Sequence, residues 1–367
     1  MSAKMPPKAG EMLHLRSHDL SPGDPVSPPL IQASMYHLPG DPSGVAGYGR
    51  AENATWEVTE AALAHLEVAP VVLFPSGMAA ISAVLFAVLR TGDRVLLPSD
   101  GYYTTRLLAA EFLSGLGVVV VERPTTGFAE GGFDGFRAVF IETPSNPGLD
   151  VIDIAAVASE VRAAGGVTIV DNTTMTPFGQ RPLELGADVV VASDTKAPGG
   201  HSDVLMGHVA TRNEEVLERV RLWRKLAGAI PGPMEAWLLH RGLETLEVRF
   251  ERMCDSAEVI AARLAGHDAV ASVRYPGMSG DPAHELAARQ MIRFGFLCQV
   301  VFRSVAAADV FITACPLVQP ATSFGGVHTS AERRVRWGDA VDPASVRLAI
   351  GCEPVEELWA AMELVLR

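Results

Sequence analysis

An α/β fold is predicted for this chain: a large domain built on a mostly parallel sheet, followed by a smaller α+β domain. Three observations carry that expectation. Short apolar runs alternate with helical patterns from about residue 53 to 247, the sequence form of a parallel sheet covered by helices on both faces. From about 248 onward the pattern changes to long helices with a few strands. Residues 1–52 are rich in Pro and Gly, which predicts an irregular N-terminal arm and not a packed domain. The divisions are therefore 1–52 for the arm, 53–247 for the large domain and 248–367 for the small C-terminal domain.

Each element follows in order. The run 71–74 (Val-Val-Leu-Phe) leads through Pro75-Ser76-Gly77-Met78 into an Ala/Leu-rich helix ending near Leu89. Strands are expected at 93–97, 118–121, 139–141, 167–170 and 189–192, and in the C-terminal part at 299–302 and 346–350. Residues 127–135 form a Gly-rich turn region with no evident chemistry. No internal repeat or low-complexity tract interrupts the pattern.

Two of these strands end in chemistry. The run 167–170 ends in Asp171, and the run 189–192 ends in Ser193-Asp194-Thr195-Lys196. In open α/β sheets, ligands bind beyond the carboxyl ends of the strands, so Asp171 and Lys196 are expected at one sheet edge. A lysine there can hold the aldehyde of pyridoxal phosphate (PLP), and a carboxylate can keep a proton on its pyridine nitrogen. The helix after Gly77 offers free backbone N–H groups to a phosphate. Taken singly, each feature has a plainer reading: a solvated loop lysine, a turn-capping aspartate, a glycine kept for steric room.

Composition narrows the field. The chain has 367 residues, 48% of them hydrophobic and 20% charged, an ordinary balance for a globular protein of about two domains. Its formal net charge of −13, with no long Lys/Arg run, argues against nucleic acid or an anionic membrane as partner. No stretch is apolar enough to span a bilayer, and the first ten residues lack the apolar core of a signal peptide. The four cysteines (Cys254, Cys298, Cys315 and Cys352) are scattered without a C-x-x-C pair, which suits free thiols and a cytoplasmic setting. His14 and His18 have i,i+4 spacing but no third ligand nearby, so no metal site is expected.

The chain resembles the PLP enzymes of cysteine and methionine metabolism, the trans-sulfuration group that includes cystathionine γ-synthase and γ-lyase. The resemblance covers nearly the whole chain, and its motifs come in order: Tyr48-Gly49-Arg50; Ser76-Gly77-Met78; Asp100-Gly101-Tyr102; Glu142-Thr143-Pro144-Ser145-Asn146-Pro147; Asp171-Asn172-Thr173; the Lys196 stretch; Tyr275-Pro276-Gly277; Ser323-Phe324-Gly325-Gly326; and Arg347-Leu348-Ala349. It implies the aspartate aminotransferase-like fold (fold type I) of PLP enzymes and a homo-oligomer with shared active sites, by family habit a tetramer. By the same resemblance, Lys196 holds the cofactor and moves protons, Asp171 holds the pyridine nitrogen and Tyr102 stacks on the ring. Gly77, Met78, Ser193 and Thr195 contact the phosphate, and Ser76 and Thr173 contact the cofactor. Asn146 lies near the phenolic oxygen and, with Ser323, near the substrate. Tyr48 and Arg50 bind the phosphate in the neighbouring subunit. Arg347 clamps the substrate α-carboxylate; its place in an apolar run also fits burial against an anion.

The resemblance implies α,γ-elimination of L-cystathionine to cysteine, 2-oxobutyrate and ammonia. Cystathionine γ-synthase chemistry on an O-acylhomoserine is the alternative, with methionine γ-lyase and cystathionine β-lyase behind it. A PLP-fold binding protein without turnover is disfavoured by the presence of Lys196, Asp171 and Arg347 together. The chain departs from the family pattern in places. His328 stands after Gly-Gly-x, where an acidic residue is usual, and is expected to read the far end of the substrate. Asp194 and Ala197-Pro198 flank the lysine in place of Ala and an aromatic pair, and Thr104 replaces the cysteine of methionine γ-lyases. His201 and Asp203 belong to the lysine loop and are expected to be structural.

Overall fold

The computed structural model describes residues 4–17, 19–41, 43–44 and 46–367. His18, one of the two histidines considered for a metal, lies outside them. Seven strands form the large sheet: β1 (Val71–Phe74), β2 (Arg94–Pro98), β3 (Val119–Arg123), β4 (Ala138–Glu142), β5 (Val167–Asp171), β6 (Val189–Ser193) and β7 (Gly207–Thr211). Their order is β1-β7-β6-β5-β4-β2-β3. The strands from β6 through β5, β4 and β2 to β3 pair in parallel. β7 runs antiparallel to both β1 and β6. The sequence reading did not include β7, because Gly207 and His208 break the apolar run that marks its neighbours.

The central strands are apolar on both faces, as a sheet between two helix layers requires. Phe140, Ile169 and Val190 are all buried. Each such side chain contributes about 1.5–3 kcal/mol relative to exposure. The helices that carry the site's turns are capped by polar side chains. Asn53 Oδ1 accepts the Thr55 N–H at the start of the helix Ala54–Glu67, and Ser76 Oγ accepts the Ala79 N–H at the start of the helix Gly77–Val88.

A second sheet has the order β10-β11-β12-β9-β8. Its strands are β8 (Val270–Arg274), β9 (Leu297–Phe302), β10 (Gln319–Pro320), β11 (Ser330–Glu332) and β12 (Ser345–Ala349). The helix Leu246–Ala265 precedes it and contributes Ala257, Ile260 and Leu264 to the same core as Val300, Val346 and Leu348. The arm departs from the expectation in one respect. Its helix Ala9–Leu13 is packed, with Ala9 and Met12 buried against the core that holds Leu63 and Leu66.

Candidate active site

One cavity of about 330 Å³ lies where the carboxyl ends of β4, β5 and β6 meet the turn before Gly77–Val88 and two segments of the second sheet's region. Ser76, Gly77, Met78, Tyr102, Asn146 and Asp171 line it. So do Thr173, Ser193, Thr195, Lys196, Ser323 and Arg347. The sheet makes this convergence. Glu142 and Asp171 are lateral partners at the ends of β4 and β5, and β6 releases the chain into the lysine turn.

The anion end is shaped by close approach. The N-terminal N–H groups of Gly77–Val88 have no partner within the helix. A Cβ added to Gly77 would lie 2.6 Å from Ser193 Cβ, and one added to Gly207 would lie 2.6 Å from the Gly77 nitrogen. Glycine at both positions lets strand, turn and helix meet without a side chain between them. Thr174 lines the same cavity, and its Oγ1 is buried with no hydrogen-bond partner among the described residues. An unpaired buried hydroxyl costs stability, so a polar ligand is the natural occupant. Helix N-terminus, glycine cradle, buried carboxylate and lysine together fit PLP.

The lysine is held from several sides. Lys196 Nζ donates to Ser323 Oγ at 2.9 Å. Its turn is closed by Gly199 N–H to Asp194 O and Gly200 N–H to Lys196 O. Arg249, from the helix Leu246–Ala265, donates to the carbonyls of Ala197 (2.7 Å) and Gly242 (2.6 Å). Gly325 has φ +81°, and a Cβ there would press to 2.6 Å from the Ala197 nitrogen. Burial, and after it the Arg347 charge, lowers the Lys196 pKa to about 8 against the pull of Asp171 and Glu332. More of the amine is therefore free base at neutral pH than for an exposed lysine.

Burial raises both carboxylates at the strand ends. Burial first, and then the Asp171 charge, pushes Glu142 up to about 8, even though its Oε2 accepts the Tyr102 N–H at 2.7 Å. Asp171 is also raised by burial, but the Thr173 N–H on Oδ1 and the charges of Lys196 and His208 oppose this. Burial thus raises both members of the pair, while the Thr173 hydrogen bonds and the charges of Lys196 and His208 favour the anion at Asp171.

Behind the lysine lies a chain of polar groups. His208 Nδ1 is 2.9 Å from Asp194 Oδ1, and its Nε2 is 3.4 Å from Glu67 Oε1. All three side chains are buried. Burial alone would lower the imidazole pKa, but the two carboxylates raise it to about 10. Asp194 is therefore not a loose replacement for a small residue; its partner arrives on β7.

At the substrate end, Arg347 is only 3% exposed. It donates to Glu332, its cross-strand neighbour on β11, to the carbonyl of Thr322, and to Asn146 Oδ1 at 3.2 Å. Thr195 Oγ1 is occupied by the Met206 backbone, accepting its N–H at 3.1 Å and donating to its carbonyl at 3.3 Å. Thr173 Oγ1 accepts the Ser193 N–H. Tyr102 lies at the mouth, edge-on to Tyr103.

One residue expected in this cavity does not join it. His328 is exposed and does not line it. The neighbouring Val327 is tied by its N–H to Gly200 O and by its carbonyl to the Cys352 N–H, which leaves His328 on the outer side before the chain enters buried Thr329. In its place the pocket wall carries Thr322, directly before Ser323. Tyr48 and Arg50, expected at the phosphate of a neighbouring subunit, lie outside the cavity of their own chain: Tyr48 is exposed and Arg50 donates to the Lys225 carbonyl. Residues that sequence reasoning did not assign here include Glu142, Arg249, Arg334 and Trp337. Glu142 lay inside a recognised motif, whereas Arg334 and Trp337 sit in an irregular stretch that gave no signal. Among the described residues, no group of three His, Cys, Asp or Glu side chains is placed to hold a metal, and no helix is long and apolar enough to cross a membrane.

Comparison with known proteins places these residues in context. The family model for Cys/Met metabolism PLP-dependent enzymes matches residues 11–367. A Streptomyces coelicolor protein, provisionally assigned as a cystathionine gamma-lyase, is 48% identical over 345 residues, covering 92% of this chain and 88% of that one. The Bacillus subtilis cystathionine gamma-lyase is 36% identical over 350 residues, covering 91% of this chain and 92% of that one. The structure of cystathionine gamma synthase from Xanthomonas oryzae pv. oryzae in complex with cystathionine superposes with a TM-score of 0.92 at 31% identity, covering 98% of this chain and 97% of that one.

Proposed function

We propose the following reaction for a chain that belongs to the Cys/Met metabolism PLP-dependent enzymes: water-assisted α,γ-elimination of L-cystathionine to cysteine, 2-oxobutyrate and ammonia. The observation that carries it is the meeting of Lys196, Asp171 and a buried Arg347 in one cavity, in a chain similar along its length to gamma-lyases.

When bound, PLP supplies an electron sink for the charge left at the substrate's α-carbon. The protein's own groups do the rest. The helix N-terminus at Gly77 and Met78, with the Ser193 hydroxyl, holds the phosphate. Asp171 would hold the pyridine nitrogen, its anionic form favoured by the Thr173 hydrogen bonds and by the charges of Lys196 and His208. Arg347, oriented by Glu332 and Asn146, receives the α-carboxylate with its planar fork. Lys196 Nζ, with its pKa lowered to about 8, takes the proton from Cα and then moves a proton at Cβ, so that the γ-thioether sulfur departs. Ser323 Oγ fixes the amine during that exchange. Tyr102 covers the ring from the mouth.

Tyr48 and Arg50 complete the phosphate site of a partner subunit in this reading, with a tetramer as the full assembly. Their absence from the cavity of their own chain supports it. Mixing Arg50→Gln protein with Lys196→Ala protein tests it. Hybrid dimers carry one intact site if the site is shared, so activity should return; lasting inactivity refutes the sharing.

The reaction itself is tested by mass spectrometry of products from PLP-loaded protein given L-cystathionine. Cysteine with 2-oxobutyrate is the expected result. Pyruvate with homocysteine would establish β-elimination instead. The similarity to a gamma synthase structure favours γ-replacement as the second reading, and formation of cystathionine from an O-acylhomoserine and cysteine, without the lyase products, would select it.

A further inference from the structure

We propose that Arg334, with Trp337 beside it, forms a second anion subsite at the pocket mouth that receives a carboxylate at the far end of the substrate's γ-substituent. The proposal rests on the γ-substituted amino acid reading above. Arg334 opens the single 3-10 turn Arg334–Trp337, and both of its ends line the cavity that holds Lys196 and Arg347. Arg334 is buried, while Trp337 is 51% exposed. One reaches into the pocket and the other forms its rim.

A single carboxylate sets both guanidinium groups. Glu332 Oε1 accepts from Arg347 and from Arg334 Nη1 (3.1 Å), and Oε2 accepts the Trp337 indole N–H at 2.9 Å. Asp339 Oδ2 accepts from Arg334 Nε at 2.6 Å. These bonds occupy Nε and Nη1 of Arg334. Nη2 has no hydrogen bond to a described residue, although a guanidinium is at its best when its fork is filled by an oxyanion.

The division of labour between the two arginines follows from position. Arg347 stands on β12 beside Asn146, near the lysine that must lie next to the α-carbon. Arg334 stands on the turn after β11, towards Trp337 and the opening. An α-carboxylate satisfies the first and leaves the second unmatched. A γ-substituent that itself ends in a carboxylate matches both, with its methylene groups against the Trp337 ring. A short neutral substituent leaves the Arg334 fork unfilled, and a site built to hydrogen-bond a group discriminates against analogues that lack it.

Two homoserine esters isolate this feature, because O-succinyl-L-homoserine carries a distal carboxylate and O-acetyl-L-homoserine does not. Apparent Kd is read from the change in the bound cofactor's absorbance on titration, and KM and kcat are measured wherever turnover occurs. The wild-type PLP-loaded protein should bind the succinyl ester at least tenfold more tightly. Arg334→Gln should abolish that preference, acting on Kd and KM more than on kcat, and Arg334→Lys should restore part of it. No preference in the wild type, or an equal loss for both esters in Arg334→Gln, overturns the proposal. If the succinyl preference is present while L-cystathionine yields no cysteine, the subsite stands and the elimination reading falls. If cysteine is released but no preference exists, the reverse holds.

Discussion

The two ends of the pocket are built in different ways. At the cofactor end, every group sits on or just beyond a strand of one sheet or a helix N-terminus: Gly77 at a helix start, Asp171 closing β5, Ser193 closing β6, Lys196 in the turn after it. Backbone contacts set that end, and glycine is required where segments touch. At the substrate end, Arg347 on β12 and Arg334 on the turn after β11 are placed by ion pairs: both on Glu332, and Arg334 also on Asp339. Placement by the sheet makes the chemistry common to a family. Placement by a few side-chain bonds makes specificity cheap to change, because a turn can be replaced without disturbing the sheet.

That contrast can be broken first at the lysine. Lys196→Ala should lose the long-wavelength absorbance of lysine-bound cofactor and at least about 10³-fold in turnover, as expected for a group that both anchors and moves protons. Turnover near the wild-type value would remove the cofactor end from the chemistry altogether. Next in size is His208→Gln. It removes the cation between two buried carboxylates, and breaking such a group costs about 3–5 kcal/mol. Chemical denaturation at pH 7 measures it. The sign with pH is set by the raised pKa: the wild-type advantage is whole below about 6.5 and is lost as pH rises through about 10. A difference that grows with pH over that window would show that the pair is not charged as described.

Arg347→Gln sharpens the comparison from the substrate side. Loss of its charge-assisted bonds to a carboxylate should lower kcat/KM by about 10²-fold while the cofactor absorbance persists. Loss of the absorbance as well would mean that the two ends are not separable. A smaller effect concerns rate and pH. Capture of PLP by protein freed of it needs the unprotonated Lys196 amine, so its rate should rise with pH and level off above about 8. Levelling near the ordinary lysine value of 10.5 would remove the influence of burial and of Arg347. The smallest effect is expected for His328→Ala, about twofold or less in kcat/KM, because the side chain points to solvent. A tenfold change would return it to the substrate.

The same contrast explains what could be read in the chain beforehand. The runs ending in Asp171 and Ser193 were legible because a buried parallel strand is a local pattern, and its carboxyl end is where ligands gather. β7 was not, since it carries a histidine whose buried charge is paired by Glu67 and Asp194, which come from a helix end and another strand's exit. The packed helix Ala9–Leu13 was hidden in Pro/Gly-rich surroundings, where composition outweighs a short apolar pair. Arg334 and Trp337 follow no period, and their placement depends on Glu332, which only the second sheet brings opposite Arg347. His328 was assigned by its offset from a glycine pair, and backbone bonds at Val327 decide its direction instead.

The glycine of β7 has a consequence for how this scaffold can evolve. A single methyl group at Gly207 would arrive 2.6 Å from the nitrogen of Gly77. Mutational tolerance should therefore be split sharply across the molecule. Libraries aimed at the turn from Arg334 to Asp339 can explore new substrates while still acquiring cofactor, whereas substitutions at position 207 should appear only among proteins that no longer retain it.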